Sequence, residues 1–341
     1  MRNIPFCMPV LLALFALSGV GVSIHTQSAA AAPTVTATIS VVSYPFGVGV
    51  NSATNRIYVA NEGGNTVSVI DGATNTVLST IPVGSYPVGV RVNSSTNRIY
   101  VANNTSGTVS VIDGATNTVL STIPVGSQPY GVGVNASTNR IYVANSTSGT
   151  VSVIDGASNA VTSTIILHSQ PLSIENYPYF VGVNASTNRV YVTYIYGNTV
   201  SVIDGAANTV LSTISVGSNS NGVGVNSSTN RIYVAIGNTV GVIDGATNTV
   251  INTISVSSPG DIDVNSSTNR VYVTNYSSST VSVIDDSSSS PPTVATSSAT
   301  NVTSSSATLN GTVNANGAST TAWFHMARRV GLIAVRQPHK A

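Results

Sequence analysis

A twenty-residue phrase, RIYVANEGGNTVSVIDGATN at residues 56–75, recurs in close copies that begin at Arg98, Arg140, Arg189, Arg231 and Arg270. The starts are 42, 42, 49, 42 and 39 residues apart. A period near 42 restricts the chain to a solenoid or a propeller, because a unit that short cannot bury its own apolar faces and must stack on its neighbours. Each unit holds four runs of β-branched and aromatic residues, the composition of short strands. In the first unit they are GVGV, RIYVAN, TVSVID and TVLSTIPV, joined by NSATN, EGGN and GATN. The Asn, Gly and Ser of these joins bond their own backbone and accept left-handed geometry, so they mark turns.

The second and third runs can be paired on paper. Placing Asn61 opposite Thr66 sets Tyr58 opposite Val69 and Arg56 opposite Asp71. The fifth unit tests this register. Its loop is two residues shorter and leaves only Gly237-Asn238 as a hairpin turn, yet Arg231 still falls opposite Asp244. Losing two residues preserves the face of every side chain, whereas losing one inverts it. Structural ion pairs are therefore expected at Arg56–Asp71, Arg98–Asp113, Arg140–Asp155, Arg189–Asp204, Arg231–Asp244 and Arg270–Asp285. Both faces of the hairpin carry apolar residues: Ile57, Val59 and Ile70 on one, Tyr58, Ala60, Val67 and Val69 on the other. A sheet that is apolar on both sides must be covered on both sides, which face-to-face blades around an axis provide.

The sixth unit has its first three runs and then passes into DSSSSPPT. The run VTATISVV at residues 35–42 resembles the missing fourth run. The expectation is an all-β, six-bladed β-propeller of four-stranded blades. In it, residues 35–42 complete the last blade beside Val283 and close the ring, which removes an exposed sheet edge.

Charge and composition narrow the function. Only 7% of the 341 residues are charged. Residues 35–286 hold seven Arg, no Lys and eleven Asp or Glu, a net charge near −4. A mildly acidic body argues against nucleic-acid binding, which needs a basic stripe to neutralise phosphates. Residues 1–32 read as an export signal: Arg2 precedes the apolar VLLALFALSGVGV of residues 10–22, and QSAAAAP offers small residues for cleavage. Cys7, the one cysteine, lies inside that signal, so disulfide and thiol chemistry are not expected after its removal, nor is a membrane span. The expected divisions are a signal at 1–32, the propeller at 35–286 and a tail at 287–341.

The cores YVAN (residues 58–61, 100–103 and 142–145) and YVTN (residues 272–275), followed by TVSVID, resemble the YVTN-type β-propeller repeat. That family occurs in archaeal and bacterial exported and cell-surface proteins, including surface-layer-like ones, and its members often have seven blades. The resemblance covers residues 38–286 and implies a propeller fold and a secreted or cell-surface location. Two copies depart from the motif, YVTYIYG at Tyr191 and YVAIG at Tyr233. Residues 292–324 resemble the opening strands of a fibronectin-type-III-like module, but a sandwich of that kind needs about a hundred residues. The pattern breaks after Phe324 into a basic tail. Residues 291–341 are expected to be a module fragment that does not fold.

No catalytic signature is present: neither a Gly-x-Ser-x-Gly elbow nor a phosphate loop occurs. His168 is the sole histidine between residues 35 and 286, so a nucleophile–base pair or a histidine metal site has little to draw on. No catalytic residue, cofactor or metal is expected. The first run of each unit lines the axis. One inward position reads Gly47, Gly89, Gly131, Phe180, Gly222 and Asp261; the next reads Gly49, Arg91, Gly133, Gly182, Gly224 and Asp263. Glycine suits a crowded inner strand. Arg91, Asp261 and Asp263 are candidates for a channel site, either two carboxylates for a cation or an arginine for an anion. The preferred reading is a self-neutralising Arg–Asp group, since structural ion pairs perturb a site as readily as functional ones. An enzyme reading, a metal-assisted lactone hydrolase or lyase using Asp261 and Asp263, stands as the alternative.

The connections separate the two ends of the ring. One end carries the near-invariant NSATN- and GATN-type joins; the other varies and takes an insertion at residues 167–180. His168, Glu175, Tyr177, Tyr179, Phe180, Tyr194, Tyr196 and Tyr276 gather there, with Tyr44, Tyr86 and Tyr130 nearby. Amphipathic tyrosines on loops held by a rigid scaffold suit binding to an extracellular protein or glycan. The plainer reading is that they cap blade ends. The Asn-x-Ser/Thr sequons, such as those at Asn93 and Asn135, follow from the composition.

Overall fold

The computed structural model describes residues 38–168, 173–278 and 280–286, and the backbone of four strands beyond them, Thr293–Thr300, Thr308–Asn314, Thr321–Ala322 and His339–Lys340. Two compact units divide the chain, Met1–Thr38 and Ile39–Ala341. The expected export signal at residues 1–32 lies outside the described residues. The second unit contains a six-bladed β-propeller of antiparallel blades. In blade one the strands run from the axis outward as Pro45–Asn51, Arg56–Asn61, Thr66–Asp71 and Thr76–Pro82, each bonded to the next in sequence order. The second and third strands pair with Arg56 opposite Asp71, Tyr58 opposite Val69 and Asn61 opposite Thr66. Arg231 lies opposite Asp244 across the shortened fifth hairpin.

Every join of the GATN type ends on an asparagine at positive φ, such as Asn75 at 56° and Asn117 at 57°. Asn tolerates this region because its short polar side chain bonds locally. The preceding Asp turns the chain: the Asp71 carboxylate accepts the amides of Ala73 and Thr74 at 2.8 and 3.0 Å. That contact repeats at Asp113, Asp155, Asp204 and Asp244.

Apolar side chains join the blades. Tyr58, Ala60, Val67 and Val69 of blade one pack on Val90, Ile99, Val101 and Ile112 of blade two. Four further clusters repeat the pattern along the series up to blade six. An asparagine chain follows the same joints. Asn51 Nδ2 donates to Asn97 Oδ1 at 2.7 Å, and the bond recurs from Asn93 to Asn139, Asn135 to Asn188, Asn184 to Asn230 and Asn226 to Asn269. All five donors are fully buried.

The sixth joint differs from the other five. On blade one Val48 is 50% exposed, whereas Val90 at the same place in blade two is 0% exposed. On blade six Tyr272, Val281 and Val283 are exposed where Tyr58, Val67 and Val69 are buried. Asn265, the sixth member of the asparagine series, is exposed. Blade six has three strands among the described residues, Pro259–Asn265, Arg270–Asn275 and Thr280–Asp285, and the last of these is its outer edge. Of the closing strand expected at residues 35–42, residues 35–37 lie outside the described residues and residues 38–42 enter no strand. Residues 42–44 instead follow the loop of blade one. The Tyr44 carbonyl accepts the Glu62 amide at 2.9 Å, and a Cβ on Gly64 would meet Val42 Cγ1 at 2.4 Å.

In the tail, Thr293–Thr300 pairs with Thr308–Asn314, and Thr321–Ala322 with His339–Lys340. The sequence reading expects no fold in residues 291–341. The difference is local: Thr293–Thr300 and Thr308–Asn314 carry β-branched Thr and Val and pair as two strands, without the sandwich that the fragment lacks the length to build.

Candidate functional site at the mouth of the axial channel

In each blade the ladder between first and second strands slips by one residue near the variable end, as between Pro45 and Val48 of blade one and between Val143 and Asn145 of blade three. A bulge places two residues opposite one and leaves consecutive side chains on one side. That turns Phe46, Tyr130 and Tyr179 off the face strict alternation assigns them. The Tyr130 ring stacks on Tyr179 at 3.9 Å, and Phe46 and Phe180 meet Tyr130 edge-on at 5.5 and 6.0 Å. These four side chains come from blades one, three and four. The glycines beside them permit this crowding: a Cβ on Gly47 would lie 2.0 Å from the Val88 carbonyl oxygen.

Beneath the aromatics lies a cavity with about 40 Å³ of free space, lined by Phe46, Tyr130, Phe180, Arg91 and Asp261. A second cavity of about 170 Å³ lies toward the opposite end and is lined by Arg91, Asp263, Gly133 and Gly224. The structure thus brings Arg91, Asp261 and Phe180 to one cavity, and Arg91 and Asp263 to another. Burial raises the Asp261 pKa; the Arg91 charge opposes that rise and Asp263 adds to it. Its carboxylate also accepts the Ile262 amide at 2.9 Å, while that of Asp263 accepts the Val264 amide at 2.8 Å. Arg91 donates to the Val90 carbonyl at 3.0 Å. Among the described residues Arg91 makes no ion pair with either aspartate, so the self-neutralising Arg–Asp pair expected from the sequence is not formed. No group of three or more His, Cys, Asp or Glu gathers among the described residues.

Burial pushes the Tyr130 hydroxyl strongly upward, reinforced by Tyr179 and then by Glu62. Tyr179 is also raised, mainly by burial. Tyr86 is raised by a hydrogen bond to Glu62. Glu62 is thus an acid close enough to Tyr86 to act on it, which the candidate residues chosen from the sequence leave out. Its one legible signal is that no other second-to-third loop of the repeat carries an acid.

The loop candidates separate. Tyr196 and Tyr276 are 54% and 89% exposed. Glu175 is exposed, and Tyr177, Tyr179 and Phe180 are half-buried. Tyr194 is corrected: it is fully buried and cannot present a binding surface. It stands where other blades have Asn61, Asn103 or Asn145, whose amides donate to a serine on the third strand. The Tyr194 hydroxyl bonds the equivalent Ser201, so it is a core replacement. His168 packs edge-on against Tyr194 at 4.9 Å, and burial lowers its pKa. Three of the tyrosines at this end, Tyr44, Tyr86 and Tyr196, hold φ of 54°, 58° and 59°. Tyr44 and Tyr86 each precede a proline, which restricts them further.

The repeated charges take two arrangements. Arg56, Arg98 and Arg189 bond the aspartates opposite them, Asp71, Asp113 and Asp204. Arg140 instead donates to the Gly205 carbonyl of blade four at 2.7 Å. Arg231 pairs with Asp286 of blade six at 2.5 Å, and not with the expected Asp244. Asp286 occupies the position of Gly205 and Gly245 in other blades, is buried, and also accepts from Asn226 and Thr229. A buried carboxylate attracts the nearest cation more strongly than a solvated one, which draws Arg231 across the joint. Arg270 lies opposite Asp285 in the ladder.

No protein-family model matches the chain, and no curated protein matches it in sequence. Among solved structures it is similar to a chain of "Kuenenia stuttgartiensis Hydrazine Synthase". The two are 15% identical, with a TM-score of 0.52, over 75% of this chain and 99% of that one. The likeness is one of fold. A six-bladed propeller is therefore what this chain offers for function to act upon, and the site is argued from its own side chains.

Proposed function

We propose that the chain is an exported β-propeller that binds an extracellular protein or glycan through its variable end, without catalysis. One observation carries the reading: Tyr44, Tyr86 and Tyr196 are exposed, bulky and held at positive φ at that end. The fold sets a positive φ at this connection, as at Gln128, Asn219 and Ser258, and blades one and two place an exposed tyrosine on it. The aromatic mouth formed by Phe46, Tyr130, Tyr179 and Phe180 adds flat, amphipathic contact area. The resemblance to YVTN-type repeats and the apolar N-terminal run support export to the cell surface. The net negative charge of the body disfavours nucleic acid.

The test replaces Tyr44, Tyr86 and Tyr196 together by Asn, which tolerates positive φ and which blade five carries at Asn219. Wild type and variant are presented to an array of envelope glycans and a panel of purified surface proteins. The expected result is a ligand retained by the wild type and lost by a variant of equal or greater stability. Retention of the same ligands by both would defeat the reading. The enzyme alternative rests on Asp261 and Asp263 lining the channel. It calls for lactone hydrolysis that appears with added calcium or magnesium and disappears in Asp261→Asn.

A further inference from the structure

The channel cavity behind Phe46, Tyr130 and Phe180 holds one carboxylate and one guanidinium, Asp261 from blade six and Arg91 from blade two. Neither neutralises the other, since among the described residues they form no ion pair. The Asp261 carboxylate accepts the amide of the next residue, Ile262, at 2.9 Å. Arg91 donates to the carbonyl of the preceding one, Val90, at 3.0 Å. Each group is thus tied to its own strand and left without a counter-ion. Burial opposes the Asp261 charge. A desolvated charge without a partner is costly, and a bound group of opposite charge removes much of that cost. A simple cation would relieve Asp261 but meet the Arg91 charge, and a simple anion would do the reverse. The two groups are completed together by a molecule that carries both charges.

The remaining walls set the size and the apolar part of that molecule. Gly47, Gly89 and Gly131 line the cavity without side chains, and about 40 Å³ is free. At about 10–15 Å³ for each water, this is room for roughly three water-sized groups. The ammonium, Cα and carboxylate of an amino acid are three such groups. Asp263 lines the second cavity and not this one, so a single carboxylate faces the ligand here. Toward the mouth the walls become aromatic, with Phe46 and Phe180 edge-on to Tyr130. We propose that this cavity binds a free α-amino acid, with its ammonium on Asp261, its carboxylate on Arg91 and an apolar side chain against Phe46, Tyr130 and Phe180. An aromatic side chain suits that wall best, because edge-to-face packing on the rings adds to the area buried. A peptide bond at either end of the ligand removes one of its two charges, so the cavity distinguishes a free amino acid from a residue within a chain.

The inference does not rest on the exposed tyrosines, and its assay uses free amino acids, so it and the reading of the variable end can fail separately. Isothermal titration of the purified full chain compares phenylalanine with glycine, N-acetyl-phenylalanine and phenylalaninamide. Phenylalanine is expected to bind tightest. The two analogues each lack one charge and are expected to bind roughly tenfold or more weakly, the loss of one charged hydrogen-bonded contact. Glycine, with nothing to place on the rings, is also expected to bind more weakly. No binding of any amino acid up to about 10 mM, or equal binding of the three phenylalanine compounds, overturns the proposal. In Asp261→Asn the preference for phenylalanine over its N-acetyl form is expected to vanish while the preference over the amide persists. In Arg91→Gln the reverse is expected. Equal weakening of every ligand by both variants overturns the proposal, because it reports a structural role. The ligand series is read on the wild type, so it decides even where a variant does not fold.

Discussion

Two valines at the same repeat position test the packing directly. Val90 is 0% exposed and sits in the joint between blades one and two, while Val48 is 50% exposed on the outward side of blade one. Val→Ala removes two methyl groups, about 1.6 kcal/mol of transfer free energy at ~0.8 kcal/mol each when fully buried. At Val90 a void of roughly 40 Å³ adds about 1 kcal/mol at ~24 cal/mol per Å³. Val90→Ala should therefore cost about 2.5 kcal/mol. At Val48 half the transfer is already absent and no void forms, so Val48→Ala should cost about 0.8 kcal/mol or less. Urea denaturation followed by far-ultraviolet circular dichroism and tyrosine fluorescence gives both values, provided the two probes coincide. Equal losses at the two sites would mean that the outward face of blade one is covered, and the description of an unmade sixth joint would fail.

Asparagine follows the same logic: Asn135→Ala, which breaks a buried inter-blade bond, should cost about 1–3 kcal/mol, and exposed Asn265→Ala less than 1 kcal/mol, in the same urea assay. Arg231→Ala should cost about 3–5 kcal/mol, because it leaves Asp286 buried without its cation, whereas Arg231→Ala with Asp286→Gly should recover most of the loss; additive costs would contradict the pairing. Arg98→Ala, at a part-exposed pair, should cost less than about 1 kcal/mol. The Asp204 carboxyl is lowered to about 2, by the Ala207 amide first and then by Arg189 and the Ala206 amide. The unfolded chain therefore binds the proton first as pH falls, so this contribution is full above the ordinary aspartate range near 4 and is lost toward pH 2. Comparing wild type with Asp204→Asn at pH 5 and pH 2.5 should show a difference that shrinks by about 1 kcal/mol, allowing for solvent screening; a constant difference would count against it.

Much of the site is illegible in the repeat because it depends on a bulge. Alternation alone places Phe46 and Tyr130 away from the axis, and only the extra residue near the start of each first strand brings them over the channel. Tyr194 shows the opposite failure. A tyrosine in a variable loop reads as surface, but it takes the place of a buried asparagine and bonds Ser201. Phe180, Arg91, Asp261 and Asp263 were legible, since each interrupts a column of glycines lining a narrow space.

By itself the sequence determined the repeat, the strand order and the register of the hairpin between second and third strands, because period-two alternation and turn chemistry are local there and the ladder runs without a bulge. The tertiary structure decided which arginine reaches which oxygen, since a guanidinium on a long stem goes to the most buried acceptor in reach, whether on its own blade or the next. It also decided the sixth joint. Five identical joints are written in the repeat, but whether the first and last blades meet depends on their accumulated geometry, which no single repeat encodes.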